Sequence, residues 1–321
     1  MLRAILALLF AILYLIIGIP VLGIEWIISK FNRKAADISQ LRMVQWAFRV
    51  ILFICGTKVT VIGEENVPKD EAVLYIGNHK SYFDIIITYA RCPGLTGYVA
   101  KNDMAKVPLL SLWMKRLYCL FINRDDVKEA LKTILAGIDH IKNGISMCIF
   151  PEGTRNKTDD LMLPFKEGSF KMAEKTGCAI VPMAITGSAD ILENHFPKVK
   201  ATHVILEYGK PIYPNELDKE TKKKIGAHCQ GVIEEMLVKN EKLQSCQTCS
   251  RRQRFVGSLL LVKGHNASVP AKNRREDSLE QNARISSLPF LPVPSVSWPR
   301  FDTPRGCVRQ AADNERTFWC P

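Results

Sequence analysis

A long uncharged run near the start of the chain limits what the protein can fold into. Residues 4–24, AILALLFAILYLIIGIPVLGI, contain no charged side chain. As an α-helix this run would be roughly 31 Å long, which matches the hydrocarbon thickness of a bilayer. It exceeds the apolar region of a cleaved signal peptide and shows no evident cleavage site. We therefore predict a helical membrane anchor, and Pro20 leaves open whether it spans the bilayer or turns back within it.

Basic side chains flank this run unequally, because Arg3 precedes it whereas Lys30, Arg33, Lys34, Arg42 and Arg49 follow it. The side with more Lys and Arg stays cytoplasmic, so we place everything after residue 30 on the cytoplasmic face of the membrane. Residues 41–56, LRMVQWAFRVILFICG, mix apolar and basic side chains. They predict a helix lying in the membrane interface, with an amphipathic core helix as the alternative. Residues 1–57 are thus predicted to be membrane-anchoring helices.

The composition narrows the class of partner. Hydrophobic residues make up 47% and charged residues 24%, an ordinary globular balance, and the net charge is +12. Such a charge attracts an anionic membrane surface or a phosphorylated substrate. Lys and Arg are spread along the chain rather than concentrated in a stripe, so we predict no nucleic-acid partner. The Cys246–Cys249 pair lacks a second pair or a nearby histidine, so we predict no metal site.

From residue 58 onward, short apolar segments alternate with helical ones. The segments read as strands are KVTVIG, AVLYIG, GYVAK, YCLFIN, SMCIFP, AIVPMAI and THVILEYG. Between them, residues 125–144 carry one apolar stripe at helical spacing. This alternation predicts an α/β fold with a mostly parallel sheet flanked by helices, and we assign residues 58–243 to a catalytic domain.

Residues 244–321 differ in kind from the rest. Residues 1–243 contain 24 Lys and 8 Arg, whereas 244–321 contain 2 Lys and 10 Arg. Seven of the 17 prolines lie in this tail, and the periodicity is lost. We predict a largely disordered tail, or an aberrant one that arose by fusion or by an altered reading frame.

The stretch GNHKSYFD, residues 77–84, places a histidine and an aspartate five positions apart. Within one helix they would point about 140° apart, but a strand before and a helix after the stretch allow contact. His79 would lie in the turn and Asp84 in the first helical turn, where the carboxylate makes the other ring nitrogen a better base. The alternative is that His79 completes a turn and Asp84 caps the helix. Ser81 is predicted to cap the helix as well.

The stretch FPEGTR, residues 150–155, follows another predicted strand. Pro151 and Gly153 indicate a tight turn, in which backbone amides near Gly153 would be free to bind an anion. Arg155 offers a planar group suited to phosphate, and the alternative is a structural ion pair between Glu152 and Arg155.

Together these stretches resemble the glycerolipid acyltransferase superfamily, and specifically its 1-acylglycerol-3-phosphate O-acyltransferases. Four ordered blocks carry the resemblance: NHKSYFD at 78–84, LFINR ending in Arg124, FPEGTR at 150–155 and IVPMAITG from residue 180. The second block departs from the family pattern. The family commonly has a glycine before the strand, but residues Tyr118 to Phe121 contain none, and Asn123 replaces an aspartate.

The resemblance implies a reaction and a set of residues. His79 would deprotonate the sn-2 hydroxyl of lysophosphatidic acid, which attacks an acyl thioester directly, and Asp84 would orient His79. The substrate phosphate end would be bound by Glu152, Gly153, Thr154 and Arg155, with Arg124 and Lys101 as further contacts. The acyl donor would be acyl-CoA or acyl carrier protein, and no cofactor is implied. Transfer to another lysophospholipid and a non-catalytic membrane-anchored lipid-binding protein are the alternatives.

Overall fold

The computed structural model describes residues 1–264, with side chains described through residue 245. The chain begins with the helices α1 (Leu2–Phe31) and α2 (Arg33–Cys55), which are both long and apolar enough to cross a membrane. The most apolar window of α1 has a mean hydropathy of 2.9 and is only 11% buried, whereas that of α2 has 1.3 and is 39% buried. The predicted anchor is thus a helical hairpin, and α2 also packs one face against the rest of the protein.

The seven strands that the sequence predicts are all present, and they form one sheet. They are β1 (Lys58–Ile62), β2 (Leu74–Gly77), β3 (Thr96–Lys101), β4 (Leu120–Ile122), β5 (Ser146–Ile149), β6 (Ile180–Thr186) and β7 (His203–Tyr208). The strand order is β1-β7-β6-β2-β5-β3-β4, and all neighbours are parallel except β6 and β7. The predicted fold class, α/β with a mostly parallel sheet, is confirmed.

Helices cover both faces of the sheet, as the βαβ connections require. They are α3 (Phe83–Tyr89), α4 (Pro108–Arg116), α5 (Val127–Lys142), α6 (Lys171–Thr176), α7 (Lys219–Lys223) and α8 (Ile225–Gly264). One core lies between the sheet and α1 to α4, and the other lies between the sheet and α5, α6 and α8. Strand β2 serves both cores, because Tyr75 faces the first while Leu74 and Ile76 face the second.

Two elements differ in extent from the prediction. The helix over 125–144 is present as α5, but Val127, Leu131 and Leu135 on its stripe are exposed and only its C-terminal half is buried. Its first turns follow the three-residue edge strand β4, beyond which the sheet offers no surface to cover them. Helix α8 continues past the predicted boundary at Leu243 to Gly264. The predicted tail from 265 onward and the side chains of Cys246 and Cys249 lie outside the described part.

Tyr118, which lies just before β4, has a φ of +60°. It is the only non-glycine residue with positive φ among residues 1–264. Its hydroxyl donates to Asp37 Oδ2 of α2 at 2.5 Å and accepts from Arg33 Nη2 at 3.3 Å. The side chain therefore joins the α1–α2 hairpin to the α/β part of the protein, at a position whose backbone conformation favours glycine.

Candidate active site

Four neighbouring parallel strands bring the predicted site residues to one edge of the sheet. His79 follows β2, Arg155 follows β5, Lys101 ends β3 and Arg124 follows β4. The strands lie in the order β2-β5-β3-β4, so their carboxyl ends meet at the same edge, where open α/β sheets bind ligands. At a strand spacing of about 4.8 Å, β3 lies roughly 10 Å and β4 roughly 14 Å from β2. His79 and Arg155 follow adjacent strands and are therefore close together, whereas Lys101 and Arg124 lie farther from His79 along the edge.

The His79 imidazole is hydrogen-bonded to Asp84, with Nδ1 and Oδ2 separated by 2.9 Å. The same carboxylate oxygen accepts the backbone N–H groups of Lys80 and Ser81 at 2.8 and 2.7 Å. An ionised carboxylate only accepts hydrogen bonds, so His79 carries its proton on Nδ1 and presents Nε2 as a proton acceptor. Asp84 is fully buried, while the His79 side chain is 14% exposed and its ring stacks on Phe150 at 4.3 Å. This geometry is suited to general-base chemistry.

Ser81 caps the beginning of α3. Its hydroxyl accepts from Phe83 N–H at 3.0 Å and donates to Glu193 Oε2 at 2.6 Å. Together with the bond from Ser81 N–H to Asp84, this is the reciprocal pattern that caps a helix. The buried hydroxyl has no histidine as a hydrogen-bond partner among the described residues, so it lacks the base that a serine nucleophile needs.

Asn78 fixes the loop that carries His79. Its side-chain amide donates to Ile185 O at 2.9 Å and accepts from Ile185 N–H at 2.8 Å. Both bonds are buried and join the end of β2 to β6, which is the strand of the predicted fourth block. The proline-containing block therefore supports the position of His79 through its backbone.

Glu152 is only 3% exposed and binds main chain on both sides. Its Oε1 accepts His79 N–H at 2.6 Å, and its Oε2 accepts Leu163 N–H at 2.8 Å. Burial raises the pKa of this carboxyl more than the two amides lower it. The geometry makes Glu152 a positioning residue for the His79 loop, and its contact with substrate stays a prediction.

The Gly153 turn differs in one respect from its prediction. Gly153 has a φ of +76°, as the tight turn requires, but its N–H donates to Phe150 O at 3.0 Å and is not available to an anion. Within the described residues, the N–H groups of Thr154 and Arg155 donate no hydrogen bond. A Cβ atom on Gly153 would lie 3.0 Å from Lys166 Nζ, so the cationic group of Lys166 adjoins this turn.

Arg155 is held between an aromatic ring and a carboxylate. Its guanidinium lies 3.6 Å from the centre of the Tyr82 ring, and its Nη1 lies 3.4 Å from Glu193 Oε1. Glu193 also accepts Tyr82 N–H at 2.8 Å. Sequence reasoning missed Glu193, which lies 38 positions from Arg155 in a short 3-10 turn (Glu193–His195), and no local pattern marks it.

Lys101 and Arg124 both have exposed side chains at the far end of this edge. Lys101 Nζ forms an ion pair with Asp103 at 2.5 Å, and its side chain is 67% exposed. Their contact with a phosphate stays a prediction. No group of three or more His, Cys, Asp or Glu side chains that could hold a metal ion occurs in the described part of the chain.

Comparison with known proteins identifies the family of this chain. The family model described as Acyltransferase matches residues 58–186. The 1-acyl-sn-glycerol-3-phosphate acyltransferase of Saccharomyces cerevisiae is 31% identical over 207 residues, covering 62% of this chain and 67% of the relative. The chain belongs to the 1-acyl-sn-glycerol-3-phosphate acyltransferase family. The family member of Borreliella burgdorferi is 33% identical over 174 residues, covering 53% of this chain and 65% of that protein.

The family fold is also seen in a crystal structure. The 1-acyl-sn-glycerophosphate acyltransferase PlsC from Thermotoga maritima superimposes with a TM-score of 0.60 and is 22% identical. The match covers 74% of this chain and 95% of the bacterial chain, so the two proteins share their fold.

Proposed function

We propose that the protein transfers a fatty acyl group from an acyl thioester to the sn-2 hydroxyl of 1-acylglycerol-3-phosphate, giving phosphatidic acid. The observation that carries this proposal is the hydrogen bond between His79 Nδ1 and Asp84, which leaves Nε2 free to act as a base at the sheet edge of a chain from this family.

The reaction needs one base and no protein nucleophile. His79 Nε2 takes the proton of the sn-2 hydroxyl as its oxygen attacks the thioester carbonyl. The tetrahedral intermediate collapses, the carbon–sulfur bond breaks, and the imidazolium returns the proton to the departing thiolate. Asp84 stabilises the imidazolium and fixes its orientation, while Glu152 and Asn78 hold the loop.

The phosphate of the acceptor would lie at the Gly153 turn. Arg155, Lys166 and the unpaired N–H groups of Thr154 and Arg155 are the donors that support this placement. Lys101 and Arg124 would extend the positive charge along the sheet edge, towards a polyanionic donor such as acyl-CoA or acyl carrier protein. No cofactor is required for this chemistry.

The membrane hairpin would place this site beside its lipid substrate. Helix α1 exposes apolar side chains along most of its length, which supports membrane association. The basic residues that follow residue 24 favour the cytoplasmic face for the catalytic domain.

The test is His79→Ala, with His228→Ala as a matched control on the exposed face of α8. Loss of a general base lowers turnover by roughly 10²–10⁴-fold, whereas the control should keep normal turnover. The assay follows labelled acyl transfer to lysophosphatidic acid in purified membranes, with both thioester carriers and other lysophospholipids tested in parallel. Normal turnover by a folded His79→Ala protein would refute the mechanism. Faster acyl transfer to another lysophospholipid would show that lysophosphatidic acid is not the preferred acceptor.

A further inference from the structure

A cavity of about 820 Å³ lies between α2 and the sheet, away from the candidate active site. Its lining includes residues of α2, β1, β2 and β7 and the loop that follows α3. The first turn of α3, which contains Asp84, lies at the carboxyl edge of the sheet. Ala90, at the other end of the helix, lines the cavity. Tyr75 in the lining precedes His79 by four residues, or roughly 13 Å along an extended chain. The volume is within the usual range for small-molecule sites.

The rim of this cavity is cationic. Two acidic side chains, Glu64 and Glu65, line the cavity. Four basic side chains also line it: Arg42, Arg49, Lys69 and Arg91. Arg91 lies 3.8 Å from Glu64, while the other three basic side chains have no carboxylate partner within the described residues. Arg42 and Arg49 are two turns apart on α2 and share one face of that helix. Their guanidinium groups are held by neutral oxygens, those of Gln45 and Ala90, so their charges are not compensated locally.

The floor of the cavity carries two buried phenols. Tyr75 is 3% and Tyr208 is 5% exposed, and their ring centres are 6.5 Å apart. Neither hydroxyl has a hydrogen-bond partner among the residues that the structure describes. Burial raises the pKa of both hydroxyls, so they remain protonated donors at neutral pH. Although both rings are buried, their hydroxyl oxygens remain accessible to solvent, so they are open donors that suit a ligand which accepts hydrogen bonds.

We propose that this cavity binds the phosphoryl headgroup of an anionic phospholipid taken from the surrounding membrane. The arginines of α2 and Lys69 would neutralise the phosphate, and the two tyrosine hydroxyls would donate to its oxygens. The source is the membrane because α2, one of the two candidate membrane helices, forms a wall of the cavity. Apolar side chains in the lining, Leu52 and Val59 among them, suit the first carbons of a lipid.

The first test removes the hydroxyls without changing charge. The variant Tyr75→Phe/Tyr208→Phe keeps both rings, so packing is preserved and general attraction to anionic membranes is unchanged. Calorimetric titration of the full-length protein in zwitterionic detergent would use dioctanoyl phosphatidylglycerol, which is fully acylated and therefore not an acceptor. We expect binding about tenfold weaker in the variant, the loss typical of a hydrogen bond to a charged group. Equal affinity in a folded variant would overturn the proposal.

The second test removes charge inside and outside the cavity. Arg42→Gln/Arg49→Gln should abolish measurable phosphatidylglycerol binding, whereas Lys30→Gln/Lys34→Gln removes the same charge elsewhere on the hairpin and should leave it within about twofold. Equal losses in both variants would show non-specific attraction and overturn the site. Dioctanoyl phosphatidylcholine binding as tightly as phosphatidylglycerol would also overturn it. If inorganic phosphate displaced phosphatidylglycerol at an equal concentration, the ligand would be a soluble phosphate, and the membrane source would be refuted.

Discussion

The substitution Glu152→Gln distinguishes two possible roles of this residue, which are binding of the substrate and positioning of the His79 loop. A substrate contact predicts mainly a raised KM for the acceptor. The structure instead shows both carboxylate oxygens bound to backbone, with His79 N–H at 2.6 Å and Leu163 N–H at 2.8 Å. A positioning role predicts a loss of turnover and of stability, because the loop carrying the base is no longer fixed.

The magnitude follows from the two hydrogen bonds. Glutamine keeps one acceptor oxygen and places its NH₂ group opposite the other backbone N–H. One charge-assisted hydrogen bond is therefore lost, and two N–H donors face each other in its place. Such bonds contribute about 1.5–3 kcal/mol each, and relief of the buried charge offsets part of the loss, so we expect about 1–2 kcal/mol. A displacement of the His79 loop by about 1 Å would lower kcat by roughly 100-fold with little change in KM.

The assay is steady-state kinetics together with urea unfolding, using Glu174→Gln as the control. Glu174 forms a surface ion pair with Lys171, which contributes little to stability. Because burial raises the folded-state pKa of Glu152 above 4.5, its contribution to stability is full below pH 4.5 and is lost as pH rises through the folded value. The stability difference from Glu152→Gln should therefore shrink as pH rises. Unchanged kcat with a raised KM would refute the positioning role.

Two further substitutions test contacts that the sequence did not reveal. Glu193→Gln removes the carboxylate that shares the Arg155 guanidinium, so the acceptor KM should fall about threefold to tenfold, and a raised KM would contradict this. Tyr118→Phe keeps the backbone but loses the hydroxyl between Asp37 and Arg33, so thermal unfolding should show a loss of about 1–2 kcal/mol. An unchanged melting temperature would mean that the Tyr118 hydroxyl does not stabilise the attachment of the hairpin.

The parts of the site that sequence predicts are those set by short spacing. His79 and Asp84 meet because a strand precedes them and a helix follows, and both elements can be recognised from apolar pattern and capping residues. Parallel strands in alternation with helices also predict that the four blocks share one sheet edge. The absence of a glycine from residues Tyr118 to Phe121 also gave a signal, since Tyr118 in this stretch has a positive φ.

The remaining contacts depend on which strands become neighbours. Asn78 binds Ile185 because β2 lies beside β6, although the two residues are 107 positions apart. Glu193 reaches Arg155 only because the connection between β6 and β7 turns over the site. Burial of Glu152 likewise results from the tertiary arrangement, since an acidic residue in a glycine turn is ordinarily exposed.

The acidic side chains of the site accept hydrogen bonds from the backbone before α3. The amides at 79–82 donate in turn to Glu152, Asp84, Asp84 and Glu193, which come from three separate segments of the chain. Amides at the start of a helix lack helical partners, and here carboxylates satisfy them at the positive end of the helix dipole. Since these donors are already used, α3 cannot supply an oxyanion hole to the tetrahedral intermediate without breaking one of these bonds. The amides at 154–155, which donate no hydrogen bond within the described residues, remain available to a substrate anion at this edge.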